Sequence, residues 1–268
     1  METLSTPTPE GAISYQLKLA LESLVEGNNE SDKRQPHWLK LYNASNFFDS
    51  RAVPETDLPA IAGLCKPFER VIVENHPRFC DERMNWFADH LDGQLEVAMG
   101  LETIHPNAMA LMNKEMMLED FDLAMDYCKR RGIDTRAFVL LHPPGVPIEE
   151  SIDWTWRTVN YALDRGARHV SVIPVRSGNG WIDQHINDGA YKLPTIKLIR
   201  DFFCVNEQAQ ATLQRVDSMV EFDLWNWNSF AGGCAVCRTW LYQSIQHFNA
   251  SLIVLPIERK PIDCECDL

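Results

Sequence analysis

Five short apolar runs occupy the middle of the chain: Leu39 to Tyr42, Val71 to Val73, Leu95 to Met99, Ala137 to Leu141 and Val170 to Ile173. Each ends in a polar, glycine or proline cluster, and a helical stretch follows. The endings read Asn43-Ala44-Ser45, Glu74-Asn75-His76, Gly100-Leu101-Glu102-Thr103, His142-Pro143-Pro144-Gly145 and Pro174-Val175-Arg176-Ser177-Gly178. Continuous apolar strands alternating with helices imply a parallel sheet buried on both faces, where the backbone ladder is shielded from water. In such a sheet the loops after the strand C-termini converge on one face. The pattern predicts an α/β fold with β/α barrel order and a ligand site at the strand ends.

Helical periodicity is expected over Ile13 to Val25, Leu58 to Cys65, Arg83 to Leu91, Leu118 to Arg131, Ile148 to Asp164 and Thr195 to Leu213. Gly132 and Gly166 follow two of these, where a C-cap favours a left-handed residue. A sixth apolar run, Met219 to Leu224, a helix from Cys234 to Phe248 and an edge strand over Leu252 to Ile257 complete the expected elements. The expected organisation is a flexible tail over 1–12, a barrel over 13–230, and a C-terminal helix with a cysteine-containing tail over 231–268.

The 268 residues suit one large domain, and 45% hydrophobic with 24% charged residues is ordinary globular composition. A net charge of −13 argues against gripping nucleic acid through bulk electrostatics, which needs clustered Lys and Arg. No apolar run approaches the roughly 20 residues of a membrane span. The first ten residues lack a basic region and an apolar core, so the expectation is a cytoplasmic protein without a membrane partner.

Eight cysteines without a secretory signal read as reduced thiols with metal ligands among them. Cys65, Cys128 and Cys204 fall in apolar helical patterns and are expected in the core. Cys234-Ala235-Val236-Cys237 is a C-x-x-C pair, and Cys264-Glu265-Cys266 supplies a second close pair. Four such thiolates make a candidate zinc site or, with a looser fit, a cluster site. Free thiols at a helix start are the competing reading.

Leu39 to Pro54, Glu96 to Thr103, the Leu111-Met112-Asn113-Lys114 step and Ile173 to Gly180, taken in order, resemble the radical SAM superfamily. Within it the likeness is to the Elongator/MiaB-like branch and the group containing the archaeosine-synthase radical SAM subunit. The resemblance spans roughly residues 10 to 230. It implies a partial (β/α) barrel of radical SAM type, S-adenosylmethionine as cofactor, a [4Fe–4S] cluster, and RNA or a nucleoside as substrate. The family's cluster is held by C-x-x-x-C-x-x-C after its first strand, and no three cysteines here have that spacing. The expectation is a barrel lacking its first strand and cluster loop, with an open edge that a partner chain would cover.

By the same resemblance Asn43 and Ser45 stand where the methionine amino group is contacted, Glu74 ends a rim strand, Glu102 faces the ribose, and Arg176 meets a carboxylate. Each has a structural alternative. Asn43 and Ser45 equally suit turn hydrogen bonding, Glu102 a solvated loop acid, and Arg176 an ion pair with Glu74 or Glu102. His76 and His142 precede prolines at strand ends, and structural roles are favoured for both. Trp154, Trp156, Trp225 and Trp227 read first as packing, and second as a stacking surface for bases. Two functions follow: a radical SAM-type protein acting in tRNA or nucleoside modification yet inactive alone, or a cluster-free binding module or partner subunit, stabilised by zinc.

Overall fold

The computed structural model describes residues 6–26, 37–42, 46–112, 116–204, 212–213, 215, 217–251 and 266. Six strands form one sheet in the order β1-β2-β3-β4-β5-β6. They are β1 (Trp38–Leu41), β2 (Arg70–Glu74), β3 (Gln94–Glu102), β4 (Asp134–Leu141), β5 (His169–Pro174) and β6 (Met219–Phe222). The helices are α1 (Ala12–Glu26), α2 (Leu58–Cys65), α3 (Glu82–Asp89), α4 (Pro106–Met112), α5 (Leu118–Arg131), α6 (Ser151–Asp164), α7 (Gly180–Asn187), α8 (Ile196–Phe203) and α9 (Ala235–Ser251). Sequence order and sheet order coincide, as in a chain of successive βα units. The chain divides into two compact units, Met1–Gly100 with Met117–Arg136 and Leu101–Met116 with Ala137–Leu268.

In the first unit, β1, β2 and β3 pair in parallel, with Val71 between Leu39 and Leu95 and Ile72 between Lys40 and Glu96. Arg70 through Val73 are all buried, as an interior parallel strand requires, whereas β1 alternates exposed and half-buried positions and forms one edge of the sheet. Phe47, Phe48 and Phe87 pack as an aromatic cluster with centroids 5.1 to 5.9 Å apart. The N-terminus of α1 is capped from another element. Asp57, itself buried, accepts hydrogen bonds from the backbone N–H groups of Gly11 at 2.6 Å, Ile13 at 3.1 Å and Ser14 at 3.2 Å. A carboxylate suits orphan N–H donors at the positive end of a helix.

A buried charge network ties the starts of three strands together. Glu96 of β3 has no exposed surface; it accepts from Arg70 Nη1 of β2 at 2.9 Å and from Arg136 Nε of β4 at 2.7 Å. Arg70 Nη1 also reaches Asp134 Oδ2 at 2.6 Å. A buried carboxylate is tolerable only when both oxygens are matched this way.

In the second unit, β5 and β6 pair in parallel from His169 with Met219 to Val172 with Phe222. The core stacks Trp156 of α6 on Phe202 of α8, with centroids 4.7 Å apart and planes 4° from parallel. Phe203 lies edge-on to Phe248 of α9.

Most of the expected elements are present, with boundaries shifted by a few residues. Helices α4 and α7 were not expected from periodicity. The Ile148 helix opens with a 3-10 turn, Ile148–Glu150. The Thr195 helix is capped by the Thr195 hydroxyl at 3.2 Å from Leu198 N, and α8 ends at Phe203. Cys204 is therefore a correction: it follows the last helical turn and is exposed, while Cys65 and Cys128 are buried as expected. The expected strand over Leu252 to Ile257 lies outside the described residues.

Removing the Glu96 carboxylate leaves two buried guanidinium groups short of a partner. Glu96→Ala should destabilise the protein by about 3–5 kcal/mol, read as a lower urea midpoint at unchanged slope.

Candidate functional site

Strand β3 ends in an unusual turn. Glu102, its last residue, has φ 66°, and the N–H of Thr103 donates to the carbonyl of Leu101 at 2.8 Å across it. A two-residue hydrogen bond closed around a positive-φ centre is a γ-turn of the rare, strained kind. Glutamate gains nothing locally from this conformation, so neighbouring contacts must hold it. Those contacts are visible. Thr103, buried, accepts from His105 N at 3.1 Å, Thr158 Oγ1 of α6 accepts from Ile104 N at 3.2 Å, and His105 Nδ1 accepts from Ala108 N at 3.3 Å to cap α4.

Strand β4 is followed directly by another non-glycine residue of positive φ, His142 at φ 59°. Its Nδ1 lies 2.6 Å from Ser151 Oγ, its carbonyl accepts from Tyr191 Oη at 2.5 Å, and its ring stacks on Tyr191 with centroids 5.1 Å apart. Burial lowers the His142 pKa below 6.5, and a backbone hydrogen bond to Lys192 opposes that shift. Burial likewise pushes the Tyr191 phenol above its ordinary value. Three residues on, Gly145 has φ 87°, and a Cβ there would stand 3.2 Å from Ala108 Cα, so only glycine lets this loop meet the start of α4.

Arg176 follows β5. Its Nη1 pairs with Asp223 Oδ2 at 2.9 Å and Nη2 donates to the Asp223 carbonyl at 3.2 Å. The guanidinium lies 5.6 Å from the Trp225 ring and 5.5 Å from Phe230, and Nε is buried without a hydrogen-bond partner. The ion-pair partner of Arg176 is Asp223, just past β6, and not Glu74 or Glu102, the structural alternative that the sequence offered.

In the first unit Glu74 is the last residue of β2. Its carbonyl accepts from Phe47 N at 2.9 Å, and the buried Asn75 accepts from Phe48 N through Oδ1 at 3.2 Å. These bonds fix the chain just after Asn43 and Ser45, which lie outside the described residues. The role of Asn75 is to anchor Phe48 after the first strand, a contact that the sequence does not announce. His76 caps the following 3-10 turn by accepting from Arg78 N at 3.2 Å, a structural role.

Three of the four expected metal ligands come together in the second unit. Cys234 and Cys237, at the start of α9, and Cys266 present sulfurs that all lie within 4.8 Å of one another, with Cys237 and Cys266 3.5 Å apart. Cys264 lies outside the described residues. With zinc–sulfur bonds of about 2.3 Å, sulfurs around one tetrahedral ion sit about 3.8 Å apart. The observed spacing matches ligands sharing one ion. A [4Fe–4S] cluster puts each thiolate on a different iron and needs wider separation, so this trio does not fit the cluster of the radical SAM reaction.

No protein-family model matches the chain. An uncharacterized protein of Methanocaldococcus jannaschii is 24% identical over 162 residues, 58% of this chain and 44% of that protein. The solved structure of Elp3 from Methanocaldococcus infernus, with residues 1–46 deleted, superposes with a TM-score of 0.62 at 14% identity, over 88% of this chain and 59% of that one. The fold is like that of this Elp3 structure. Coproporphyrinogen III oxidase of Escherichia coli, described as a radical SAM enzyme, overlaps 74% of this chain and 45% of its own, with 14% identity and a TM-score of 0.45. The architecture is α/β, a partial barrel like that of the Elp3 structure, and the chain spans about half the length of the proteins it matches. At these identities the likeness establishes the fold alone. No helix among the described residues is long and apolar enough to cross a membrane.

The depressed His142 pKa has a consequence for stability. Below pH 6.5 the unfolded chain binds a proton that the buried imidazole does not, so the stability present above pH 6.5 is lost as pH falls from there through the folded value. Asparagine tolerates the left-handed backbone. His142→Asn should therefore flatten the stability profile over that acidic window, as measured by urea midpoints in a pH series.

Proposed function

We propose that the strand ends of this chain hold S-adenosylmethionine, with the Glu102 carboxylate accepting the two ribose hydroxyls. The strained Glu102 turn carries this reading. A carboxylate kept in a costly conformation at the end of a barrel strand, by contacts from Thr103, His105 and Thr158, has the marks of a side chain aimed for use. The Elp3-like fold supports the choice of ligand.

S-adenosylmethionine supplies a 5′-deoxyadenosyl group when an iron–sulfur cluster reduces it. None of the cysteines here has the C-x-x-x-C-x-x-C spacing, and the Cys234, Cys237 and Cys266 sulfurs stand too close for that role. We assign Glu102 binding and orientation of the cofactor, with RNA or a nucleoside as the substrate class and a partner chain beside β1. Arg176 is held by Asp223, so its part is to shape the end of β5.

Glycine at position 102 would keep the turn and delete the carboxylate. Glu102→Gly should weaken S-adenosylmethionine binding at least tenfold by calorimetry without lowering the melting temperature; unchanged affinity would remove the ribose assignment. Anaerobic treatment with iron, sulfide and a reductant should give no 5′-deoxyadenosine, and product formed in step with cluster absorbance would overturn the cluster-free reading.

A second reading rests on the close thiols: zinc at Cys234, Cys237 and Cys266 ties the C-terminal segment to α9 and stabilises the module. The purified protein should contain one zinc per chain by elemental analysis. The Cys234→Ser, Cys237→Ser double variant should contain none, and equal content in the two proteins would exclude the site. Because thiolates are the ligands, zinc should also be released progressively on acidification.

A further inference from the structure

The loop between β6 and α9 is irregular, yet it is braced from both ends. Arg176 grips Asp223 at its start, and Asp223 Oδ1 accepts from Trp225 N at 2.9 Å. Arg238 of α9 reaches back and donates to the carbonyls of Phe230 at 2.6 Å, Gly232 at 3.0 Å and Trp227 at 3.1 Å. Between the two arginines Asn226 sits at φ 54°, and Trp227 is buried against Phe230 and Tyr242. Chain this irregular is fixed by specific contacts, and the result faces an open cavity of about 680 Å³.

The lining of that cavity is distinctive. It includes Asn226, Trp227, Asn228, Arg238, Thr239 and Tyr242. The side-chain amides of Asn226 and Asn228 and the hydroxyls of Thr239 and Tyr242 make no hydrogen bond among the described residues. Among the described residues no carboxylate lines the site, and the Arg238 guanidinium is engaged by three carbonyls. A site without a free charge does not select phosphate or a cation. Two amides, each a donor and an acceptor, beside a Tyr–Trp pair suit a flat, uncharged ring with mixed hydrogen-bonding edges. Amides pair with base edges in two-point contacts, and base faces stack on aromatic side chains.

We propose that this cavity is a nucleobase-binding site, in which Asn226 and Asn228 engage the base edge and Tyr242 and Trp227 supply the apolar wall. It stands independently of the S-adenosylmethionine assignment, since it uses none of the same residues. Trp225, 72% exposed on the same loop, serves as a fluorescent reporter.

Guanosine and uridine, which carry no adenosyl group, are the probes, titrated into the full chain by calorimetry and tryptophan emission with glucose as control. At least one nucleoside should bind saturably below millimolar concentration, and glucose should not. Glycine at 226 retains the positive φ, so the Asn226→Gly, Asn228→Ala variant should melt at the wild-type temperature and lose at least tenfold in affinity, whereas Glu102→Gly should bind as wild type does. Equal binding by the double variant, glucose binding as tightly as the nucleosides, or no saturable binding by any probe would each overturn the proposal. Loss of nucleoside binding in Glu102→Gly with retention in the double variant would move the base to the strand ends and overturn it as well. Should the double variant melt early, Asn228→Ala alone, on an exposed side chain, gives the same test.

Discussion

A carboxylate with no exposed surface organises the start of the sheet. Glu96 interrupts an otherwise apolar strand, and its two oxygens are matched by Arg70 on one neighbouring strand and Arg136 on the other. Apolar contacts between β2, β3 and β4 are compatible with more than one register, because Val, Ile and Leu substitute for one another at modest cost. The charge network is not. A slip of one residue would carry Glu96 to the opposite face and take from Arg70 and Arg136 the carboxylate they share. Register fixed at the N-terminal ends determines which residue stands last on each strand, and so puts Glu74 and Glu102 where their strands end.

At and just beyond the strand ends the backbone departs from regular geometry. Glu102, His142 and Asn226 are the non-glycine residues with positive φ among the described residues, and each lies at or shortly after the C-terminal end of a strand. Around Glu102 and His142 the backbone is held by side chains: Thr103 and Thr158 beside the first, Ser151 and Tyr191 beside the second. Such strain is maintained by a rigid surround, which these side chains provide.

How much of this is legible in the sequence depends on the range of the interaction. The runs at Val71 and Val170 announce themselves because a buried parallel strand is apolar at consecutive positions. Gly132 marks the end of α5 because its left-handed backbone is a local property. Helix α4 escapes notice because its cap is His105, a residue with weak capping preference, and α7 because it opens on a glycine after Asn179. Glu96 was visible as a lone acid inside an apolar run, although nothing in the run says which arginines answer it. Asp223 lies 47 residues from Arg176, and no periodicity connects them. The left-handed turn at Glu102 was not readable at all, because glutamate has no preference for it and the restraint comes from Thr158, 56 positions further on by number.

The C-terminal helix joins features that the sequence presents separately. Its first turn carries Cys237, and the next residue, Arg238, braces the β6–α9 loop through three carbonyls. An ion held by Cys234, Cys237 and Cys266 would immobilise that turn and with it the anchor of the guanidinium, so occupancy of a thiolate site and order in the Asn226 loop are mechanically coupled through one peptide step. The coupling has a direction. Arg238 can brace the loop only if the start of α9 is itself fixed, and Gly232 and Gly233, both with positive φ, leave the preceding backbone little intrinsic stiffness. The rigidity of the loop must therefore come from the side chains on either side of those glycines: Arg176 from β5, and the cysteine turn with Arg238 from α9.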